Sequence, residues 1–260
     1  MSTDRPTPVV ENEIASTVES VRAAEADRSC LTLFGAFELE VAGARIILPM
    51  HARRVLVYLS LHKMAEKYCN RTTVAQQLWA DSSLERSRAS LRTALWRINR
   101  AGAGLVFCDK ERVSVTDALQ VDVHQFRSRA EQLLSGAIKC QPADIRLLQA
   151  RPDLLSTWDE DWLVLFREQL RLLRLHALEI AARNLCVHEH HAQAIDAILP
   201  VIAEEPLRES AHAVLISAHL GLGNAAEARR CYDQFAANLW AELRLRPSAD
   251  LMPGVVATWC

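Results

Sequence analysis

Residues 82–100 read Ser-Ser-Leu-Glu-Arg-Ser-Arg-Ala-Ser-Leu-Arg-Thr-Ala-Leu-Trp-Arg-Ile-Asn-Arg. Ser82 followed three residues later by Glu85 is a capping box, a start signal for a helix. Leu91, Leu95 and Ile98 then fall at i, i+4 and i+7 and form one narrow apolar stripe. The opposite face carries Arg86, Ala89, Thr93, Trp96, Arg97 and Arg100, with Arg88 and Arg92 on its flanks. Its one acid is Glu85. An ordinary solvated helix face mixes acids with bases, because opposite charges at i and i+4 stabilise the helix. This one scarcely does. Small Ala89 and Thr93 let the backbone approach a polyanion while the arginines reach sideways, so the stretch predicts a helix that reads DNA.

The net charge of −2 conceals a segregation along the chain. Residues 1–30 carry −3, residues 31–121 carry +5 and residues 122–260 carry −4. Only the middle segment is therefore expected to face nucleic acid. With 260 residues, the chain has room for two domains that each bury a core. The seven cysteines (30, 69, 108, 140, 186, 231 and 260) include no C-x-x-C pair. Their wide spacing argues against a zinc site or a disulfide framework and for reduced thiols. No apolar run reaches the length of a bilayer span, and the N-terminus lacks an apolar signal region. The expectation is a cytoplasmic, nucleoid-associated protein with no membrane partner.

Residues 1–29 are polar and acidic, and are expected to be a disordered extension. From Leu31 to Leu48 apolar residues alternate with polar ones, broken by Ala42-Gly43-Ala44, which predicts short antiparallel strands with one wet face. Pro49 closes them. A helix from about Ala52 to His62 follows, with Val55, Leu56, Tyr58 and Leu59 inward. Asn70 can cap a second, shorter helix that reaches Leu78 and Trp79. After the basic helix, Leu105–Cys108 and Val113–Val115 flank the turn residues Asp109–Arg112, a β-hairpin. Strands, three helices with the third basic, and a hairpin make the order of a winged helix-turn-helix.

The residues of this segment also resemble a known family. The run Leu-Thr-Leu-Phe-Gly-Ala-Phe-Glu-Leu-Glu-Val from Leu31, then Arg53-Arg54-Val55-Leu56, Leu78-Trp79 and Arg88–Asn99 are similar to the OmpR-type DNA-binding domain of the Streptomyces antibiotic regulatory proteins. This domain would occupy residues 31–121.

Beyond Asp122 the pattern turns helical. Asp122 and Gln125 can cap a helix carrying Val123, Phe126, Ala130, Leu133 and Leu134. A long helix from about Glu160 to Val187 would bury Trp162, Phe166, Leu170, Leu173, Ala177, Ile180 and Ala181. Trp158 is assigned with Trp162 to the core of this second domain. Ala194, Ile198 and Val201 recur 34 residues later as Ala228, Tyr232 and Phe235, the period of tetratricopeptide helix pairs. Leu154-Leu155, Trp158–Trp162, Glu168-Gln169-Leu170, Ala177-Leu178-Glu179, Glu205–Glu209 and Tyr232 resemble the bacterial transcriptional activator domain that accompanies the winged helix in those regulators. It would span residues 122–252. The whole is expected to be mainly α with small antiparallel sheets: a winged helix-turn-helix, then an all-α tetratricopeptide-like domain.

The resemblance implies a sequence-specific activator of a secondary-metabolite gene cluster. It would bind direct repeats in double-stranded promoter DNA as two protomers side by side and recruit RNA polymerase holoenzyme. Arg88, Arg92, Thr93, Trp96 and Arg97 are the candidates for groove contacts, while Arg53, Arg54, Arg71 and Arg100 are placed to hold phosphates and Arg86 lies on the same basic face. Lys110 and Arg112 belong to the tip of the wing, placed to reach an adjacent minor groove or its backbone. Trp96 either leans on the hairpin or touches a thymine methyl or sugar, and packing is the reading preferred at this stage. Larger members add an ATPase module, but no G-x-x-x-x-G-K-[ST] loop occurs here, and the stretch before Leu31 is too short for a phosphate receiver.

No pattern of residues points to an enzyme, a cofactor or a metal. His188-Glu189-His190-His191 misses H-E-x-x-H because position 192 is Ala192, and it falls where the repeat expects a turn. Asp159, Glu160 and Asp161 suit the positive end of a helix dipole. The rival reading is a tetratricopeptide-like scaffold whose winged helix no longer reads DNA, or a repressor of the same fold. The arginine face counts against the scaffold.

Overall fold

The computed structural model describes residues 29–64, 66–150 and 153–251. The extension expected to be disordered lies outside them, except for Ser29, which opens the first strand. The chain divides into two compact units. Among the described residues, one holds those of 29–125 with 153–159 and the other 126–150 with 160–251.

In the first unit β1 (Ser29–Thr32), β2 (Glu38–Val41) and β3 (Ala44–Ile46) form an antiparallel meander, with Leu31 opposite Leu39 and Leu39 opposite Ile46. Ala42 and Gly43 both have positive φ, as the tight turn between β2 and β3 requires. Helix α1 (Met50–Lys63) buries Ala52 and every residue from Val55 to Leu61. Strand β4 (Cys69–Asn70) leads into α2 (Arg71–Leu78), where the Asn70 side chain accepts hydrogen bonds from the Thr72 and Thr73 amides at 2.9 and 3.2 Å. Helix α3 (Leu84–Ala101) follows, then β5 (Val106–Cys108) and β6 (Arg112–Val115), the two arms of the wing. β4 adds to the outer edge of β6, giving the order β4-β6-β5.

Strand β4 was not expected, and two larger features of this unit also depart from expectation. Strand β7 (Leu119–Val121) was not legible in the sequence, and it pairs parallel to β1, so the sheet runs β3-β2-β1-β7. Its three residues are too few to show an alternation. Residues 153–159 also belong here: Leu155 N–H donates to Leu33 O at 2.9 Å and Gly35 N–H to Asp153 O at 2.6 Å. Trp158 therefore stacks on Phe37, with centroids 6.2 Å apart, and is not part of the helical unit's core.

Helix α4 (Asp122–Leu134) starts at a carboxylate that accepts hydrogen bonds from the amides of Leu33, Phe34 and Val123 at 2.8–3.0 Å. Val123, Phe126, Ala130 and Leu133 are buried as the period requires, whereas Leu134 is exposed. Helix α5 (Pro142–Gln149) begins on Pro142, whose missing N–H costs nothing at that position.

The second unit continues with α6 (Asp161–Val187), α7 (His191–Glu204), α8 (Glu209–Gly221) and α9 (Ala225–Leu243). Consecutive helices pack on one another, as in a solenoid. The repeat holds at Ala194 and Ala228 and at Val201 and Phe235, all fully buried, while Tyr232 is only half-buried where Ile198 is buried. On α6 the buried ridge includes Leu163, Arg174, Leu175, Leu178, Glu179 and Ala182, besides Leu170, Ala177 and Ala181. Trp162, Phe166, Leu173 and Ile180 are half-buried. Apolar periodicity finds the axis of such a helix but misses charged residues that are buried because they are paired. The His188–His190 stretch is an exposed turn between α6 and α7. No helix among the described residues is long and apolar enough to cross a membrane.

Candidate nucleic-acid interface

Helices α2 and α3 and the residues 79–83 between them make the helix-turn-helix. The N-cap of α3 is Ser83, not Ser82: its hydroxyl accepts from the Arg86 amide at 3.5 Å, while the Ser82 amide is committed to a turn through the Trp79 carbonyl. Glu85 in the first turn and Arg100 in the last both complement the dipole. Ser87, Leu91, Ala94, Leu95 and Ile98 face inward. That choice of buried stripe fixes the rest. Arg86, Arg88, Arg92, Thr93, Trp96, Arg97 and Arg100 are exposed, and Ala89 is half-buried between them.

Within this face the side chains differ in what they hold. Arg88 donates to the Thr72 hydroxyl on α2 at 3.0 Å. Thr93 donates to the Ala89 carbonyl one turn back. The guanidinium groups of Arg97 and Arg100 lie over the Trp96 ring, 5.0 and 5.3 Å from its centroid. Trp96 is 51% exposed, so the expectation that it serves mainly as packing gives way to an open indole that contacts two cations. Among the described residues no carboxylate pairs with Arg86, Arg92, Arg97 or Arg100.

The wing carries a second set. Arg71 donates to the Asp109 carbonyl at 2.7 Å, and its amide to the Glu111 carbonyl, which ties the start of α2 to the wing turn. Lys110 is exposed at the tip. Arg112 pairs with Asp109 and lies over the rings of Tyr68 and Phe107 at 5.0 and 6.0 Å. The Lys67 ammonium also lies over the Tyr68 ring, 5.5 Å from its centroid. Tyr68, Phe107 and Lys67 were not singled out in the sequence. The outward place of Phe107 in β5 was the one signal available.

Arg53 and Arg54, at the start of α1, are half-buried. Arg53 donates from Nε to the Leu48 carbonyl at 2.6 Å and lies over the Phe37 ring at 5.4 Å. Its terminal nitrogens remain for another acceptor. What this surface offers is charge, hydrogen-bond donors and exposed aromatic rings, the means of binding a polyanion.

Residues 121–253 match the family described as the bacterial transcriptional activator domain. A solved structure of Mycobacterium tuberculosis EmbR, in complex with a low-affinity phosphopeptide, is similar in fold, with a TM-score of 0.70 and 18% sequence identity over 88% of this chain. This chain spans 64% of the length of that one. No curated protein matches it by sequence. The family match takes in half of the chain, so the protein belongs to the bacterial transcriptional activator domain family, and the fold likeness extends over the winged helix as well.

Proposed function

We propose that this activator binds promoter DNA through residues 31–121, with α3 in the major groove, and that residues 122–252 carry activation. One observation supports this above the others: the outward face of α3 presents Arg86, Arg92, Arg97 and Arg100 without a carboxylate partner among the described residues. A pure interaction scaffold has no need of that charge. Arg92 and Arg97 flank the small centre made by Ala89 and Thr93 and are assigned to base edges; Arg88 stands beside them. Arg53, Arg54, Arg71 and Arg100 are assigned to phosphates, and Lys110 with Arg112 to the neighbouring groove or its backbone. The target is a direct repeat upstream of a secondary-metabolite cluster, occupied by two protomers that recruit RNA polymerase.

The test is a salt titration of the full chain on duplex DNA. Binding that weakens by about a thousandfold or more between 50 and 200 mM salt is the result expected from six or more phosphate contacts. A flat salt dependence, or no saturable binding, would leave the scaffold reading in its place.

A further inference from the structure

We infer that Trp96 is a specificity-determining residue that contacts the C5-methyl group of thymine, beside a guanine taken by a neighbouring arginine. The inference rests on the proposed groove-facing role of α3. Thr93, Trp96, Arg97 and Arg100 fall at i, i+3, i+4 and i+7, so they share one face of α3. An indole half open to water is costly to leave uncovered, since large apolar rings gain most from burial. The helix already has a complete core stripe, and Trp96 is not part of it.

The two guanidiniums over the indole order that covering further. Among the described residues each is held over the ring without a carboxylate partner, so its charge and donors are open to DNA. A guanidinium fork matches guanine O6 and N7. The indole carbons match none of the polar base edges. What the major groove offers an apolar plate is the thymine methyl. Because the guanidiniums of Arg97 and Arg100 both lie over the indole, the base it covers adjoins the bases or phosphates that they hold. The motif read at this end of α3 is therefore a thymine next to a guanine.

The experiment uses the full chain and a duplex selected by it from a random library. That duplex is then prepared with thymidine or with deoxyuridine throughout, which deletes every methyl and leaves the hydrogen-bonding edges in place. Wild-type protein is expected to bind the deoxyuridine duplex about threefold to tenfold more weakly for one contacted methyl. Trp96→Ala should lose a similar factor on the thymidine duplex and no longer distinguish the two, while Trp96→Phe should keep part of the difference. Equal binding of both duplexes by the wild type overturns the inference and leaves DNA binding intact. Failure to select any duplex overturns the DNA reading itself. The wild-type comparison needs no variant, so a misfolded Trp96→Ala would not shield the inference.

Discussion

Asp109 grips Arg112 from both ends of its carboxylate: one oxygen accepts from the Arg112 amide at 2.6 Å, the other from its Nε at 2.9 Å. The first oxygen also takes the Glu111 amide at 2.9 Å. The backbone bonds from Arg112 and then Glu111, followed by the Arg112 side chain, hold the Asp109 carboxyl below its usual range. A depressed value means that the turn is favoured above the unfolded carboxyl's pKa and loosens as pH falls through the lower folded one. Asp109→Asn should speed amide hydrogen exchange at Glu111 and Arg112 near neutral pH, and should remove the acid-induced change in their exchange. Unchanged protection in the variant would mean that the β5–β6 ladder alone holds the wing.

Arg53, assigned to a DNA phosphate, and Lys110, assigned to the neighbouring groove or its backbone, differ in what else they do. Arg53 also ties α1 to the Leu48 carbonyl and the Phe37 ring, whereas Lys110 stands free at the tip of the wing. Arg53→Ala is expected to cost about 1.5–3 kcal/mol of stability in urea unfolding, the range for losing a charge-assisted hydrogen bond. It should also flatten the salt dependence by roughly one counterion. Lys110→Ala should flatten the slope and leave stability within about 0.5 kcal/mol. Equal unfolding midpoints for the two variants would contradict this division.

In the helical unit, Arg174 is 5% exposed and donates to both oxygens of Glu204 at 2.5 Å, with the Leu148 carbonyl as a third partner. Removing one member leaves an uncompensated buried charge. Glu204→Leu should destabilise by about 3–5 kcal/mol, whereas Arg174→Met combined with Glu204→Leu should recover most of that loss. Thermal and urea melts of the three proteins measure the cycle. A double variant as unstable as the single one would show that the pair also positions its helices.

His212 is buried in α8, stacked on Phe235 with centroids 4.3 Å apart, and its Nε2 is 2.9 Å from the Pro206 carbonyl. Burial lowers its pKa below the usual 6.5, outweighing the bond to Pro206. The folded unit thus holds the neutral ring. Above the unfolded pKa both states are neutral and nothing is lost; as pH falls below about 6.5 the unfolded state takes up a proton that the folded state resists. Stability should therefore decline on acidification from pH 7 to 5, and His212→Phe should make that decline shallower. Parallel pH profiles would assign the decline to carboxylates elsewhere.

The sequence alone carried most of the order of elements, because helix and strand periods are local; the short elements β4, β7 and α5 escaped it. The Asn70 cap, the Ala42-Gly43 turn and the Leu91/Leu95/Ile98 stripe each act within one or two turns of chain. The arginine face was legible for the same reason: once the buried stripe is known, the opposite face follows from 3.6 residues per turn. What tertiary structure decided lies where distant residues meet. β7 exists because Leu119–Val121 finds the free edge of β1, and Trp158 changes units because residues 153–159 bond back to Leu33 and Gly35. The two kinds of cation, Arg53 and Arg88 held by protein and Arg92 and Arg97 left open, depend on acceptors supplied from other elements or at short range. Periodicity ranks residues by hydrophobicity, so it cannot foresee that Arg174 and Glu204 go inside together. Their burial is favourable only as a pair, and the partners are 30 residues apart.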